Sequence, residues 1–214
     1  MRPRRKDARR RQLTDAARRV LLERGAVGLR VKDVAERTGL APSTVLYYYP
    51  EIADLMLEVG SAAMSRYAEA RAEAVRAVDD PVERLRLAIH LGVPSGPDDE
   101  ESRLLYEIDA LTGTSSAFDA LSAGFFDRQV ALYEGILEAG RASGAFELGA
   151  PAPRLARGLV AMEDGLGLQV VIGHPAIGSD DAERILLDYA SAATGAEISG
   201  ASLPQSRSSP AAVR

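Results

Sequence analysis

The residues of this 214-residue chain that could carry covalent or proton-transfer chemistry are few: His90, His174 and a hydroxyl-bearing string, Gly113-Thr114-Ser115-Ser116-Ala117. None forms a catalytic pattern. His90 closes a predicted helix, where a positive charge is favourable beside the terminal carbonyls. His174 precedes Pro175 in a loop, and neither histidine has a companion in sequence of the kind a base or ligand needs. The serine string joins two predicted helices, whereas the nucleophile elbow of a hydrolase follows a strand. Cysteine is absent, which excludes disulfides, thiolate zinc sites and cysteine nucleophiles. Two histidines do not make a multi-histidine metal site, and no phosphate-binding loop or dinucleotide fingerprint occurs. The expectation is a protein with no catalytic residues, cofactor or metal. An all-α enzyme using Ser115 with His90 or His174 is the enzymatic alternative.

The chemistry the sequence does carry is electrostatic. Residues 1–50 hold 13 Lys+Arg against 5 Asp+Glu, a balance of +8, while residues 51–214 balance at -13 within an overall charge of -5. A basic head on an acidic body points to a nucleic-acid-binding end joined to a part with another task; the alternative is a solvated charged face. The basic arm, including Arg2, Arg4, Arg5, Lys6, Arg9, Arg10 and Arg11, could neutralise phosphates or enter a minor groove, or merely solubilise. Behind it, residues 31–50 read VKDVAERTGLAPSTVLYYYP. Two helices that touch at a sharp turn need a small residue at the contact, a glycine at the turn and apolar residues gripping the pair. Ala35, Gly39 and the set Val31, Val34, Leu40 and Val45 meet those needs. Pro42, Ser43, Thr44 and Tyr47 are then left outward on the second helix, within reach of base edges and phosphates.

The elements that position these residues are all helical. Leu13, Ala16, Ala17, Val20 and Leu21 recur at helical spacing before Gly25, which predicts a first helix. Short helices over about Val31–Thr38 and Pro42–Tyr48 follow, with Pro50 ending the second. Longer ones are predicted over about Ile52–Val78, Val82–Leu91, Glu100–Thr112, Ala117–Ala142, Leu155–Ile172 and Asp180–Thr194. Gly92–Asp99 and Gly144–Pro153 read as loops. No β-hairpin pattern or repeat is present, and no run of about 18 apolar residues that could span a membrane. The sequence predicts an all-α protein in the cytoplasm. Its expected parts are a DNA-binding head over residues 1–51, a helical body over 52–195 and a disordered tail over 196–214.

The head resembles the DNA-binding domain of TetR-family transcriptional regulators. The resemblance rests on Arg24-Gly25, Val34-Ala35, Thr38-Gly39-Leu40, Thr44-Val45, Tyr48-Tyr49-Pro50 and Leu55. It implies nine helices, dimerisation through the last two and release of duplex DNA when a small molecule binds the body. It also implies that Thr44 and Tyr48 touch phosphates, that Pro42, Ser43 and Tyr47 face bases, and that Lys32 and Arg37 add backbone contacts. Two departures stand out. Glu51-Ile52-Ala53 follows Pro50 where the family usually has a lysine. The recognition helix also has no Arg or Asn for bidentate base readout, so preference must come from Tyr, Ser and Thr contacts, thymine methyls or DNA shape.

The segment 155–193 is similar to the last two helices of a TetR subgroup that includes choline- and fatty-acid-pathway repressors. It is apolar on two sides, one for its own body and one for a partner chain. Val160, Leu166, Val170, Ile185, Tyr189 and Ala193 are the expected dimer contacts. An effector pocket between the fourth and seventh helices would be lined by Met64, Tyr67, Ile89, Leu105, Tyr106, Ile108, Asp109, Phe118, Phe125, Phe126 and Tyr133, the alternative for each being plain core. Glu107, Asp109 and Asp164 would suit a cationic ligand, or face solvent or pair with arginine. With no Trp and 5% aromatic residues, an aromatic cage for a quaternary amine lacks support, so the expected effector is small and largely apolar. The expected whole is a homodimeric, ligand-responsive repressor; an architectural DNA binder without effector is the second alternative.

Overall fold

The computed structural model describes residues 2–198, with side chains from residue 6 onward. Nine helices and no strand occur among the described residues: α1 (Arg2–Arg24), α2 (Val31–Thr38), α3 (Pro42–Tyr48), α4 (Ile52–Arg76), α5 (Pro81–Gly92), α6 (Glu100–Asp109), α7 (Ser116–Ser143), α8 (Ala152–Val171) and α9 (Ser179–Thr194). The fold is all-α. The basic arm is helical from Arg2 onward, an extension of α1.

The helices form two compact units whose seams are not the linear division expected at residue 51. The first takes the chain up to Ser65 together with Glu100–Ala123; the second takes Arg66–Asp99 together with the chain from Gly124 onward. The seams therefore fall inside α4 and α7 and just before α6.

In the first unit, Leu13, Ala17 and Leu21 on α1 are buried with Val34, Ala35, Val45 and Leu55. Gly39 turns the chain between α2 and α3 at φ 67°, a left-handed conformation that costs a glycine little. It satisfies the end of α2 by donating to Glu36, while Leu40 donates to Ala35. α6 lies along α1 through three polar contacts at helical spacing. Glu100 faces Arg18 at 3.5 Å, Arg103 donates to the Leu22 carbonyl at 3.0 Å, and the Ala26 amide donates to Glu107 at 2.7 Å. Gly60 on α4 allows close approach to α6, since a Cβ there would stand 2.6 Å from Ile108.

The second unit has its own core, with Leu85, Ala88 and Ile89 of α5, Tyr133 and Leu137 of α7, Ala156 and Leu159 of α8, and Ala182, Leu186 and Ala190 of α9. α8 and α9 pack together, with α5 against both. Asp80 caps α5 by accepting from the Glu83 amide at 2.9 Å, with Pro81 in the first turn. The chain after α9 is partly packed: Ile198 is buried and donates its amide to the Ser191 hydroxyl. Of the tail expected to be disordered from residue 196, the part up to Ile198 is thus packed, and the rest lies outside the described residues. His90 ends α5 facing Glu183 at 3.1 Å. His174 accepts from the Ala176 amide at 3.2 Å. Each histidine is placed as a structural group.

Candidate functional site

The first candidate site is the outward side of α3. Val45 faces the core, which turns Pro42, Ser43 and Tyr47 to solvent and leaves Thr44 and Tyr48 half-buried. Tyr47 is 78% exposed and meets Tyr48 edge to face at 5.2 Å, so one ring props the other. An exposed aromatic residue braced in this way can insert between groove walls with little loss of side-chain entropy. Lys32 is exposed beside it and, with Arg24, Glu36, Leu40 and Pro42, borders a recess of about 480 Å³.

The basic residues expected to touch DNA divide. Arg11 and Lys32 are exposed, and Arg9 holds Gln12 of its own helix at 2.5 Å. Arg10, by contrast, is tied back: it bonds Glu58 on α4 at 2.5 Å and stacks over Tyr49 at 4.8 Å. Arg37 likewise grips both carboxylate oxygens of Glu23, at 2.5 and 2.6 Å. These two guanidiniums serve the head's own geometry. Tyr49 is buried, and its hydroxyl has no partner among the described residues. Burial, reinforced by Glu58, pushes its phenol up to about 12.

The second candidate site lies in the body and was not anticipated. Arg71, fully buried on α4, meets Glu163 of α8 end-on, Nη1 to Oε1 at 2.8 Å and Nη2 to Oε2 at 2.6 Å. Nη1 also donates to Gln129 Oε1 at 2.6 Å. Nη2 donates to the Ala88 carbonyl at 2.6 Å and the Tyr133 hydroxyl at 2.9 Å, while that hydroxyl donates to Glu163 at 2.5 Å. Burial pulls the guanidinium pKa down, and Glu163 more than offsets it, so Arg71 stays charged. Burial followed by the Glu163 charge drives the Tyr133 phenol well above its ordinary range. Gly92 is what lets α5 pass, because a Cβ there would fall 2.1 Å from Glu163 and 2.4 Å from Arg71. Beside this network runs a groove of about 710 Å³ between α4 and α7, floored by Ala68, Ala72, Val75, Leu132 and Ile136.

None of the eleven residues expected to line a pocket borders that groove. Met64, Leu105, Tyr106, Ile108, Asp109 and Phe118 belong to the first unit, and Tyr67, Ile89, Phe125, Phe126 and Tyr133 to the second. Tyr67 packs edge-on against Phe125 at 5.9 Å and donates to the Leu91 carbonyl. Asp109 accepts from Ser122, and Glu107 from the Ala26 amide. The groove lies where α4 and α7 carry alanine and glycine.

On α8 and α9, Val160 and Val170 are 1% and 2% exposed and belong to the unit's own core. That corrects their expected outward role, since a β-branched side chain already enclosed has no area left for a partner. Leu168 on α8, Ile172 just beyond its end and Ile185 on α9 are exposed large apolar residues, with Leu166, Tyr189 and Ala193 half-buried.

Residues 13–59 match the family described as bacterial regulatory proteins, tetR family. Residues 81–195 match the family described as BetI-type transcriptional repressor, C-terminal. The chain belongs to the TetR family of transcriptional regulators. Sequence comparison with curated proteins finds no match. Among solved structures, this TetR-family fold is similar to a putative transcriptional regulator from Saccharomonospora viridis in complex with choline, with TM-score 0.77 and 24% identity over 86% of this chain and 95% of that one. A TetR transcription regulator from Haloarcula marismortui gives TM-score 0.76 and 21% identity over 88% and 99%. The fatty acid degradation regulator FadR from Bacillus halodurans gives 0.65 and 16% over 82% and 96%. Family membership places the chain among regulators and not among enzymes. Among the described residues, no helix is long and apolar enough to cross a membrane.

The sequence reading missed Arg71, Gln129 and Glu163, although a signal was present. Each occupies a position of its helix's apolar stripe: Tyr67, Arg71, Val75; Phe125, Gln129, Tyr133; Leu159, Glu163, Gly167. Three polar residues on three apolar stripes are unlike a solvated face, which keeps its charges on the other side.

Proposed function

We propose that this TetR-family protein is a homodimeric repressor that binds a pseudo-palindromic operator and is released by a small effector held in its body. The observation that carries the reading is the outward face of α3, where Pro42, Ser43 and the exposed Tyr47 stand beside Lys32. With no Arg or Asn on that face, readout rests on Tyr47, hydroxyl contacts and DNA shape. Exposed Leu168 on α8, Ile172 just beyond its end and Ile185 on α9 are the surface on which a second copy would sit, giving a four-helix interface. Two linked heads then meet half-sites about 34–36 Å apart. α4 carries Leu55 in the head and Ala68 and Ala72 in the groove, so a ligand there can pivot the helix and change the head spacing. A relative is in complex with choline, and the groove supports a small ligand in this chain too.

The experiment is selection of a duplex from a randomised pool, followed by titration and sedimentation. Wild-type protein should bind one palindrome as a dimer. Leu168→Arg with Ile172→Arg should yield monomers and lose operator affinity, because burying two unpaired charges costs several kcal/mol. A double variant that remains dimeric on DNA would refute the interface. Binding without sequence preference would favour the architectural alternative.

A further inference from the structure

In the buried network every acceptor is filled and two donors are left over. Both Glu163 oxygens, the Ala88 carbonyl, the Tyr133 oxygen and Gln129 Oε1 all receive hydrogen bonds. Arg71 Nε has no acceptor among the described residues. Neither has the Gln129 amide nitrogen, because that side chain's bond is the one its oxygen accepts. The orientation of this amide is dictated by its neighbour: a guanidinium only donates, so the oxygen must face Arg71 and the NH2 group must face away. Gln129 is 97% buried, yet it borders the groove. Its Nε2 is not among the fully enclosed polar atoms left without a partner, so this N–H is reached from the groove, space sized for a small molecule, and can meet an acceptor there.

The charges around the groove agree with an acceptor-bearing guest. Arg76, Arg84 and Arg128 stand on its border against Glu69 and Glu73. The buried carboxylate that might have held a cation, Glu163, is already neutralised by Arg71. The floor from Ala68 to Arg76 runs about 12 Å at helical rise and is apolar through Ala68, Ala72, Val75, Leu132 and Ile136.

We infer that the groove between α4 and α7 takes a small monocarboxylate with an apolar tail, its oxygen accepting from Gln129 Nε2 and its tail lying along Ala72 and Ile136. This rests on the effector-responsive reading above and names the class of effector. It separates this chain from a site for quaternary amines. Gln129 also bonds Arg71, so occupancy of the groove is felt by a side chain on α4 that bonds α5, α7 and α8.

Calorimetric titration with octanoate, octanamide and octyltrimethylammonium tests this, since the three share a tail and differ in headgroup. Octanoate should bind most tightly, octanamide more weakly and the cation at least tenfold more weakly than octanoate. Gln129→Glu keeps the oxygen that Arg71 needs but removes the N–H, and should lower octanoate affinity more than tenfold. Gly135→Trp blocks the groove without straining the backbone, because a Cβ there meets nothing within 4 Å, and should abolish binding of all three. Circular dichroism of both variants monitors the fold. Preference for the cation, or octanoate binding unchanged in both variants, would overturn the inference. Operator capture by unliganded protein is measured in parallel, so that a failure of the regulator reading is distinguished from a failure of the ligand class.

Discussion

Arg37 in the head closes on Glu23 where both side chains are bathed by solvent, at 31% and 52% exposure. Arg71 in the body closes on Glu163 where neither is, at 0% and 6%. The same pair of residue types thus serves two purposes. A surface pair contributes about 0–1 kcal/mol, is screened by salt and can be exchanged for a phosphate contact. A buried pair is screened little, and removal of either partner leaves a charge with nowhere to go. The head pairs its cations at the surface, where solvent and salt compete for them, and the body locks one of its own inside a network of Gln129, Tyr133 and a backbone carbonyl.

The contrast is broken most severely at Glu163. Glu163→Leu or Arg71→Met alone should destabilise the protein by about 3–5 kcal/mol in urea unfolding. The double variant, free of buried charge, should recover most of that loss; a double as unstable as the sum would mean the pair is not coupled. Tyr47→Ala tests the opposite limit. The exposed ring supports little of the fold, so the midpoint should hold while discrimination between operators falls by about 1–3 kcal/mol if it reads a base edge. Equal weakening on all sequences would demote it to a backbone contact.

Tyr49 sits between these limits. Its folded phenol, raised to about 12 against 10.0 in an open chain, is protonated when the unfolded one has begun to ionise. Stability should be full below pH 10 and fall as the pH climbs toward 12, by on the order of 2 kcal/mol. Tyr49→Phe should flatten that limb in alkaline titrations. The smallest effect belongs to the arm. Arg10→Ala should cost about 1 kcal/mol or less of stability and leave the salt slope of DNA binding nearly unchanged, because Arg10 is engaged with Glu58. Arg11→Ala and Lys32→Ala should each lower that slope by about one.

Much of the head was legible because its constraints are local. Gly39 must turn, Ala35 must be small, Val45 must face inward, and three residues of spacing then decide which way Tyr47 points. The order and type of the nine helices were legible for the same reason. The groove was not, because vacancy belongs to pairs of helices: Ala68 and Ala72 on α4 leave room only opposite Ala131 and Gly135 on α7. Arg71 and Glu163 are 92 residues apart, so nothing local announces their pairing. On α8, two apolar faces were visible, yet only packing decides which one the molecule keeps; Val160 and Val170 went inward and Leu168 outward.

The ladder by which Glu100, Arg103 and Glu107 grip Arg18, the Leu22 carbonyl and the Ala26 amide bears on how such regulators can be recombined. Cutting at residue 51 and grafting this head onto another regulator would sever α1 from the α6 that matches it. The chimaera would carry a foreign strip in place of those three contacts, and its heads would answer poorly to any ligand even with every α3 residue intact. A graft that transplants α6 with the N-terminal segment keeps the match. The exchangeable part of this protein is therefore discontinuous in its gene, and specificity swaps confined to the first 51 codons should give binders that no longer switch.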